Sequence, residues 1–290
     1  MMIPVHSDAC AAMHLGPWAV EPLWFAQALS AIRSGVWAAA KSQVDAEPQP
    51  LQVLESGASI IRINGPMMKG KSKFGGTSTI DVRRQLREAQ KNPDVRGVML
   101  AIDSPGGSVA GTAELADSVA ALNVTKPVHA FIEDLGASAA YWTAAQASRV
   151  HMNAAGMAGS IGTYSILYDS SKAMDKAGIE VNAFTTGPYK AMGEDGLPIT
   201  PEQRQYYQGV IEALNERFLA GVSRGRRMEM DKVKALADGR VHVGFAAVDA
   251  GLVDRISTFD EALDGLESVM EMTGKTARRD SAERRLRLGS

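Results

Sequence analysis

The chain has 290 residues, 45% hydrophobic and 22% charged, which suits a sizeable folded core and excludes a mostly disordered or collagen-like polymer. Its 31 Lys and Arg nearly balance 33 Asp and Glu, and the formal charge of -2 argues against a duplex-binding surface. A single cysteine, Cys10, excludes an intramolecular disulfide framework and a multi-cysteine metal site.

Residues 1–50 have the composition of an appendage and linker. Within them EPLWFAQALSAIRSGVWAAAKS predicts one amphipathic helix, with Trp24, Phe25, Leu29 and Ile32 at helical spacing, and Asp45 to Pro50 predicts a linker. The most apolar early stretch, Pro22 to Ile32, is far below the roughly 20 residues that cross a bilayer. The opening MMIPVHSDACAAMHLGP lacks the basic start and apolar run of a secretory signal, so the expected location is cytoplasmic, or one to which a partner delivers the chain.

From Val53 the pattern alternates. SIIRING predicts a strand ending at Gly65, residues 65–78 a Gly/Lys/Ser loop, and Thr79 to Lys91 a helix. RGVMLAID is a continuous apolar run typical of a strand buried on both faces; SPGG breaks it, and Val109 to Leu122 predicts a helix. PVHAFIE and SRVHMNA are further strands, with LGASAAYWTAAQA between them as turn and helix. Strand, turn and helix in repetition predict an α/β fold with mostly parallel pairing. The last third is helical: Pro201 to Arg227 with Thr200 as N-cap, then Asp231 to Ala237, Gly244 to Asp249 and Thr258 to Thr273. The Arg-rich stretch after Gly274 has the composition of a solvated, frayed end.

Three places could carry chemistry. In Gly136-Ala137-Ser138-Ala139-Ala140 a serine stands between small residues at a strand-to-helix turn. That resembles a nucleophile elbow with Ala140 in place of the last glycine, although a serine at a helix start is more often an N-cap. In Asp103-Ser104-Pro105-Gly106-Gly107 the proline stiffens the turn and two glycines bare backbone N–H groups that could hold an oxyanion; an ordinary tight turn has the same composition. Lys190 lies in the Gly/Pro-rich loop Thr186-Gly187-Pro188-Tyr189-Lys190. A lysine acts as a base near neutral pH only if it loses about three units from its ~10.4 reference, which burial among Tyr189, Pro188 and Ala191 could supply. His151 is the rival base for Ser138, although no Asp or Glu is obviously paired with it, and His129 reads as sheet-face filler. Cys10 has no His or Asn beside it to make a nucleophile. No HExxH, CxxC, P-loop or GxGxxG appears, so no metal or cofactor is expected.

The ordered blocks RGVMLAIDSPGGSVAG, LGASAAYWTAAQASRVHMN, AGSIGT, TTGPYKAMG and ADGRVHVGFAAVDAGLVDRI resemble the signal peptide peptidase A family of serine proteases, within the Clp protease and crotonase superfamily. The resemblance covers about Val53 to Phe259. It implies a Clp/crotonase-like repeated ββα core with a helical C-terminal part and an N-terminal helical appendage. The corresponding divisions are residues 1–50 as appendage and linker, 51–273 as the protease domain and 274–290 as a basic flexible tail. It implies Ser138 as nucleophile, Lys190 as general base, Ser160 of GSIG as the hydroxyl that orients the lysine, and Gly106, Gly107 and the Ala139 N–H as the oxyanion hole. The helix after the nucleophile departs from the family in reading SAAYW, where a glycine pair often precedes the tyrosine. His151 is offset from the histidine position of Clp proteases, which weakens a Clp-like triad. The leader GPWAVEPLWFAQAL is similar to the prophage branch, whose members process capsid precursors. The implied partners are a peptide or protein held as an extended strand near residues 65–78, further copies of the chain in a ring or bowl, and capsid or scaffold proteins at a phage prohead. The alternatives are a crotonase-like acyl-CoA enzyme, a Clp-like Ser-His protease, and a non-catalytic scaffold.

Overall fold

The computed structural model describes residues 16–33, 50–72 and 75–288, with side chains described as far as Thr273. Cys10, the linker over 45–49 and the predicted helix beyond Arg33 lie outside the described residues.

The centre is a run of parallel strands. β3 (Ala58–Asn64), β6 (Gly97–Ser104) and β8 (Val128–Ala137) pair in parallel; β8 then pairs with β9 (Arg149–Met152) along its first half and with β10 (Met157–Gly159) at its end. β2 (Gln52–Val53) and β11 (Val241–Val243) add antiparallel edges, and β12 (Arg255–Ile256) joins β9. The continuous apolar runs follow from burial on both faces. Along β6, Val98, Leu100 and Ile102 enter the main core, whereas Met99 points to a second cluster with Ala58, Phe131, Ala262, Leu266 and Met270.

Helices cover both faces. α2 (Thr79–Lys91) has the predicted limits because Ser78 caps it, its side chain accepting from the Asp81 N–H at 3.2 Å, and Val82, Leu86 and Ala89 face inward. α3 (Thr112–Thr125) starts three residues later than the apolar pattern suggests, since Gly111 takes a left-handed φ of 86° before it. α4 (Ala139–Ala144) is wholly buried. α6 (Pro201–Arg226) begins with a reciprocal capping box between Thr200 and Gln203. α7 (Met230–Leu236) and α8 (Phe245–Asp249) precede α9 (Phe259–Leu288), which supplies the second face. α9 runs past the Thr273 limit read from the sequence, so backbone expected to fray is helical to Leu288; after Gly274 the sequence offers no proline and several good helix formers.

A second, four-stranded sheet lies in the order β1 (Trp18–Val20), β7 (Gly106–Ser108), β4 (Met67–Met68), β5 (Thr77–Ser78). Two of these strands fall in the stretch expected to be loop, and β1 falls in the expected appendage. β1 leads into α1 (Pro22–Arg33), whose Phe25, Ala28, Leu29 and Ile32 bury with Trp18 and Val20. Residues 18–33 therefore dock on the domain, and Ala19 belongs to its main core.

Two packing details have measurable consequences. α6 lies against α4: Phe218 stacks on Trp142 with ring centroids 4.9 Å apart, and a Cβ on Gly221 would stand 2.8 Å from Trp142 Cδ1. Gly221→Val will destabilise the fold by about 1–3 kcal/mol through overpacking, read as a lowered urea midpoint at unchanged slope. On the α9 face, the buried rings of His129 and His151 stack 5.4 Å apart, with His129 Nδ1 and His151 Nε2 lacking partners. Burial first, and then the neighbouring His151, push His129 down to about 4 from its ordinary 6.5. His151 is lowered mainly by burial. Above pH 6.5 the imidazoles are neutral in both states. Between 6.5 and about 4 the unfolded chain takes up a proton that folded His129 refuses, so stability will fall with pH across that window. The His129 share is of order 3 kcal/mol. Urea unfolding at pH 7 and pH 4.5 reads the loss, and His129→Leu will make it smaller; equal losses in both proteins would remove His129 as its cause.

Candidate active site

Ser138 ends β8 and begins α4 with φ 55° and ψ −119°, a conformation that strains any residue but glycine. Such backbone costs of order 1–3 kcal/mol and persists only where neighbours enforce it. Here its N–H donates to the Gly159 carbonyl at 2.7 Å and its own carbonyl accepts from the Trp142 N–H at 2.8 Å. Gly136 is required two residues earlier, because a Cβ there would stand 2.6 Å from Ile132 Cδ1. The Ser138 side chain is 0% exposed and its Oγ has no hydrogen-bond partner. An N-cap hydroxyl would bond the first turn of its helix; this one does not.

The glycine turn comes alongside. Ser104 Oγ donates to the Gly65 carbonyl at 2.6 Å and accepts from the Gly106 N–H at 3.2 Å. Gly106 holds φ 92°, and a Cβ on it would overlap the Ala19 carbonyl oxygen and stand 2.8 Å from the Ala139 nitrogen. A Cβ on Gly107 would collide with the backbone of Met67. Both glycines are thus needed for close approach. The Gly106 N–H is used on Ser104 and the Gly107 N–H faces Ala19 across the β1–β7 ladder, whereas Ala139, first in its helix, has no partner within it. The backbones of Gly106, Gly107 and Ala139, the expected oxyanion hole, thus lie together.

Ser160 is buried next to the β10 end that holds Ser138, with φ 50°, and its N–H donates to the Arg240 carbonyl at 2.7 Å. The ADGRVH block thus fixes Ser160 through β11. Ser160 lines a cleft of about 370 Å³ together with Val20, Tyr164, Glu212 and Asn215. Asn215 Oδ1 is buried without a partner. In the AVDAGLVDRI block, Arg226 grips Asp254 through two bonds of 2.9 Å, and Asp254 Oδ2 also accepts from the Val150 N–H at 2.7 Å.

Lys190 is not brought to Ser138 within one protomer. It is exposed, in a turn where its N–H donates to the Gly187 carbonyl at 3.2 Å. The surrounding residues 163–199 are largely exposed, apolar ones included: Phe184 is 95% exposed, and Ile166, Tyr168, Ile179 and Tyr189 are about half so. The burial expected from Tyr189, Pro188 and Ala191 is absent here. His151 does not meet Ser138 either. It sits opposite Phe131 near the start of β8, with Nδ1 3.3 Å from Ser257 Oγ, and Ser138 Oγ is bonded to neither residue.

Among the described residues no group of three or more His, Cys, Asp or Glu could hold a metal ion, and no helix is long and apolar enough to cross a membrane. One contributor to the site escaped sequence reasoning, the strand around Ala19. Its signal was an apolar triplet, WAV, just before a Glu-Pro helix start.

Residues 120–273, just over half of the chain, match peptidase family S49. A Methanocaldococcus jannaschii protein provisionally named protease MJ0651 is 34% identical over 188 residues, 65% of this chain and 60% of that protein. An Enterococcus faecium protein provisionally named signal peptide peptidase SppA is 29% identical, over 78% of this chain and 68% of its own. Capsid assembly protease C of Escherichia phage lambda is 26% identical, over 74% of this chain and 50% of its own. The chain thus matches less than two thirds of the Methanocaldococcus protein and half of the phage protein. With the ordered sequence blocks and a matching region that runs through the Ser138 turn, these likenesses identify the chain as a member of peptidase family S49, among the relatives of signal peptide peptidase A.

Proposed function

We propose that the protein is a serine endopeptidase with a Clp/crotonase-like core, Ser138 being the nucleophile. The observation that carries this reading is a buried, unpartnered hydroxyl on a strained turn, with the glycine turn packed against the backbone nitrogen of Ala139. Ser138 Oγ attacks the scissile carbonyl and the Lys190 amine takes its proton. The Gly107 and Ala139 N–H groups hold the oxyanion, a contribution of about 2.7–4 kcal/mol per donor in other hydrolases. The protonated lysine then gives its proton to the leaving amine, and water releases the acyl-enzyme by the same route.

Lys190 serves this role in an assembly of copies of the chain. The cleft at Ser160 and Asn215 offers a hydroxyl and an unpartnered carbonyl oxygen to an incoming ammonium. The exposed apolar segment that carries Lys190 is suited to pack on a neighbouring copy. The substrate is a peptide held extended against β7, drawn from capsid or scaffold precursors or from signal-peptide-like peptides; two relatives are named capsid assembly protease C and head-tail preconnector protein GP5.

Ser138→Ala and Lys190→Ala are each expected to lower peptide hydrolysis by more than about 100-fold with the circular dichroism spectrum unchanged. Co-refolding the two variants will restore activity, because mixed assemblies place an intact lysine opposite an intact serine. A fluorophosphonate probe will label Ser138. Full activity in both variants, or labelling at another residue, would reject the assignment; coenzyme A binding without labelling would favour acyl-CoA chemistry.

A further inference from the structure

β1 does not sit at an arbitrary edge. It pairs antiparallel with β7 in the register Trp18 to Ser108, Ala19 to Gly107 and Val20 to Gly106. On its other side the Trp18 N–H donates to the Tyr164 carbonyl at 2.8 Å and the Tyr164 N–H donates back at 2.9 Å. The Glu21 N–H donates to the Pro105 carbonyl at 2.7 Å. Successive residues of a strand turn their polar groups to opposite sides. Because those of Trp18 face Tyr164 and that of Glu21 faces Pro105, those of Ala19 face Gly107. The Ala19 carbonyl oxygen also lies where a Cβ on Gly106 would overlap it, and the Ala139 nitrogen lies 2.8 Å from that same Cβ position. Both Ala19 and Ser138 are fully buried.

One carbonyl oxygen of the chain therefore faces the Gly107 N–H, on the side of the glycine turn that packs against Ala139, where the oxyanion is assigned. The segment lies extended between two flanking backbones, as a bound peptide would. Ala19 is small enough to enter the main core. The residues that follow are held firmly: Glu21 carboxylate oxygens accept from the Leu23 and Trp24 N–H groups at 3.0 and 2.6 Å, and the Phe25 ring meets that of Tyr164 edge-on at 6.2 Å.

We propose that residues 18–21 are the protein's own substrate strand and that the Ala19–Val20 bond is a self-cleavage site. This rests on the reading of Ser138 as a peptidase nucleophile. Ser138 Oγ adds to the Ala19 carbonyl carbon, and its proton passes through Lys190 to the Val20 nitrogen as the C–N bond breaks. Water then hydrolyses the Ala19 ester, giving a carboxylate at Ala19 and a free hydroxyl on Ser138. Val20 remains tethered to α1 as a new N-terminus, whereas the segment ending at Ala19 is free to leave, opening the strand position beside β7 to other peptides.

The test uses the full chain, incubated at 25 °C and sampled over time for intact mass and N-terminal sequence, with an unrelated denatured protein such as casein as external substrate. The expected result is a new N-terminus at Val20, formed more than about 100-fold more slowly in Ser138→Ala, with casein hydrolysis rising as it forms. A wild-type chain that hydrolyses casein while its N-terminus stays intact would overturn the self-cleavage and leave the peptidase reading standing. Cleavage at another bond would overturn the register. A chain that cuts neither itself nor casein would overturn the peptidase reading itself.

Discussion

The hydrogen bond from the Ser138 N–H to the Gly159 carbonyl is the constraint on which the site depends. Without it, nothing favours a φ of 55° over the relaxed alternatives open to a serine. The bond exists because the last residues of β8 and β10 run parallel, Ala137 level with Gly159. β10 is in turn held by β11, where Val241 pairs with Gly159 and the Arg240 carbonyl receives the Ser160 N–H. Downstream of the turn, Tyr141 is fully buried and donates to the Leu252 carbonyl at 2.9 Å, while Trp142 is pinned by Phe218 and Gly221. Residues a hundred positions away thus set the direction of one hydroxyl. That accounts for the ADGRVH and AVDAGLVD blocks, which bear no nucleophile or base yet belong to the motif.

The second half of the site follows from close approach between backbones. Gly107 lies against Met67 and Gly106 against Ala19 and Ala139, distances that no side-chain-bearing residue would permit. Ser104 ties the turn at both ends, to Gly65 and to Gly106. The arrangement leaves the Ala139 N–H without a partner in its own helix. A buried donor left without an acceptor costs about 1–3 kcal/mol, more than a surface mutation usually changes.

What the sequence made legible was whatever is decided locally or by one repeated burial pattern. The limits of α2 and the start of α6 were readable because Ser78 and the Thr200-Pro201 pair fix them within a few residues. β6 and β8 were readable because Val98 to Ile102 and Ala130 to Ile132 are unbroken apolar runs covered on both faces. β1, β4, β5 and β7 were not, since strands of two or three residues have no periodicity of their own and exist only through their partners. The start of α3 was missed because Val109 has the same apolar character outside the helix as it would have within it. At the site, the Ser138 and glycine turns were visible from small residues in a row. The environment of Lys190 was not, since Tyr189 and Pro188 beside it look the same whether they bury the amine or stand in solvent with it. His151 kept its status as a rival base until β9 put it at the far end of β8, stacked on His129.

The site is divided between two kinds of structure, and the division has a physical logic. The hydroxyl and the N–H groups lie on buried strands whose positions are over-determined. The amine lies on an exposed segment where a charged lysine loses no hydration. Burying that charge in an isolated protomer would incur a desolvation cost with nothing to offset it. In the proposed assembly, contacts of exposed apolar residues such as Phe184 and Ile179 with a neighbouring copy would offset that cost. In the single protomer Ala19 faces Gly107, and its carbonyl lies on the Ala139 side of the glycine turn. On the proposed reading, a single strand from the N-terminal segment thereby covers the glycine turn beside Ser138 and brings an amide carbonyl to it. A cover that satisfies the oxyanion donors must place a carbonyl where the oxyanion would form, and for a peptidase such a cover is also a substrate.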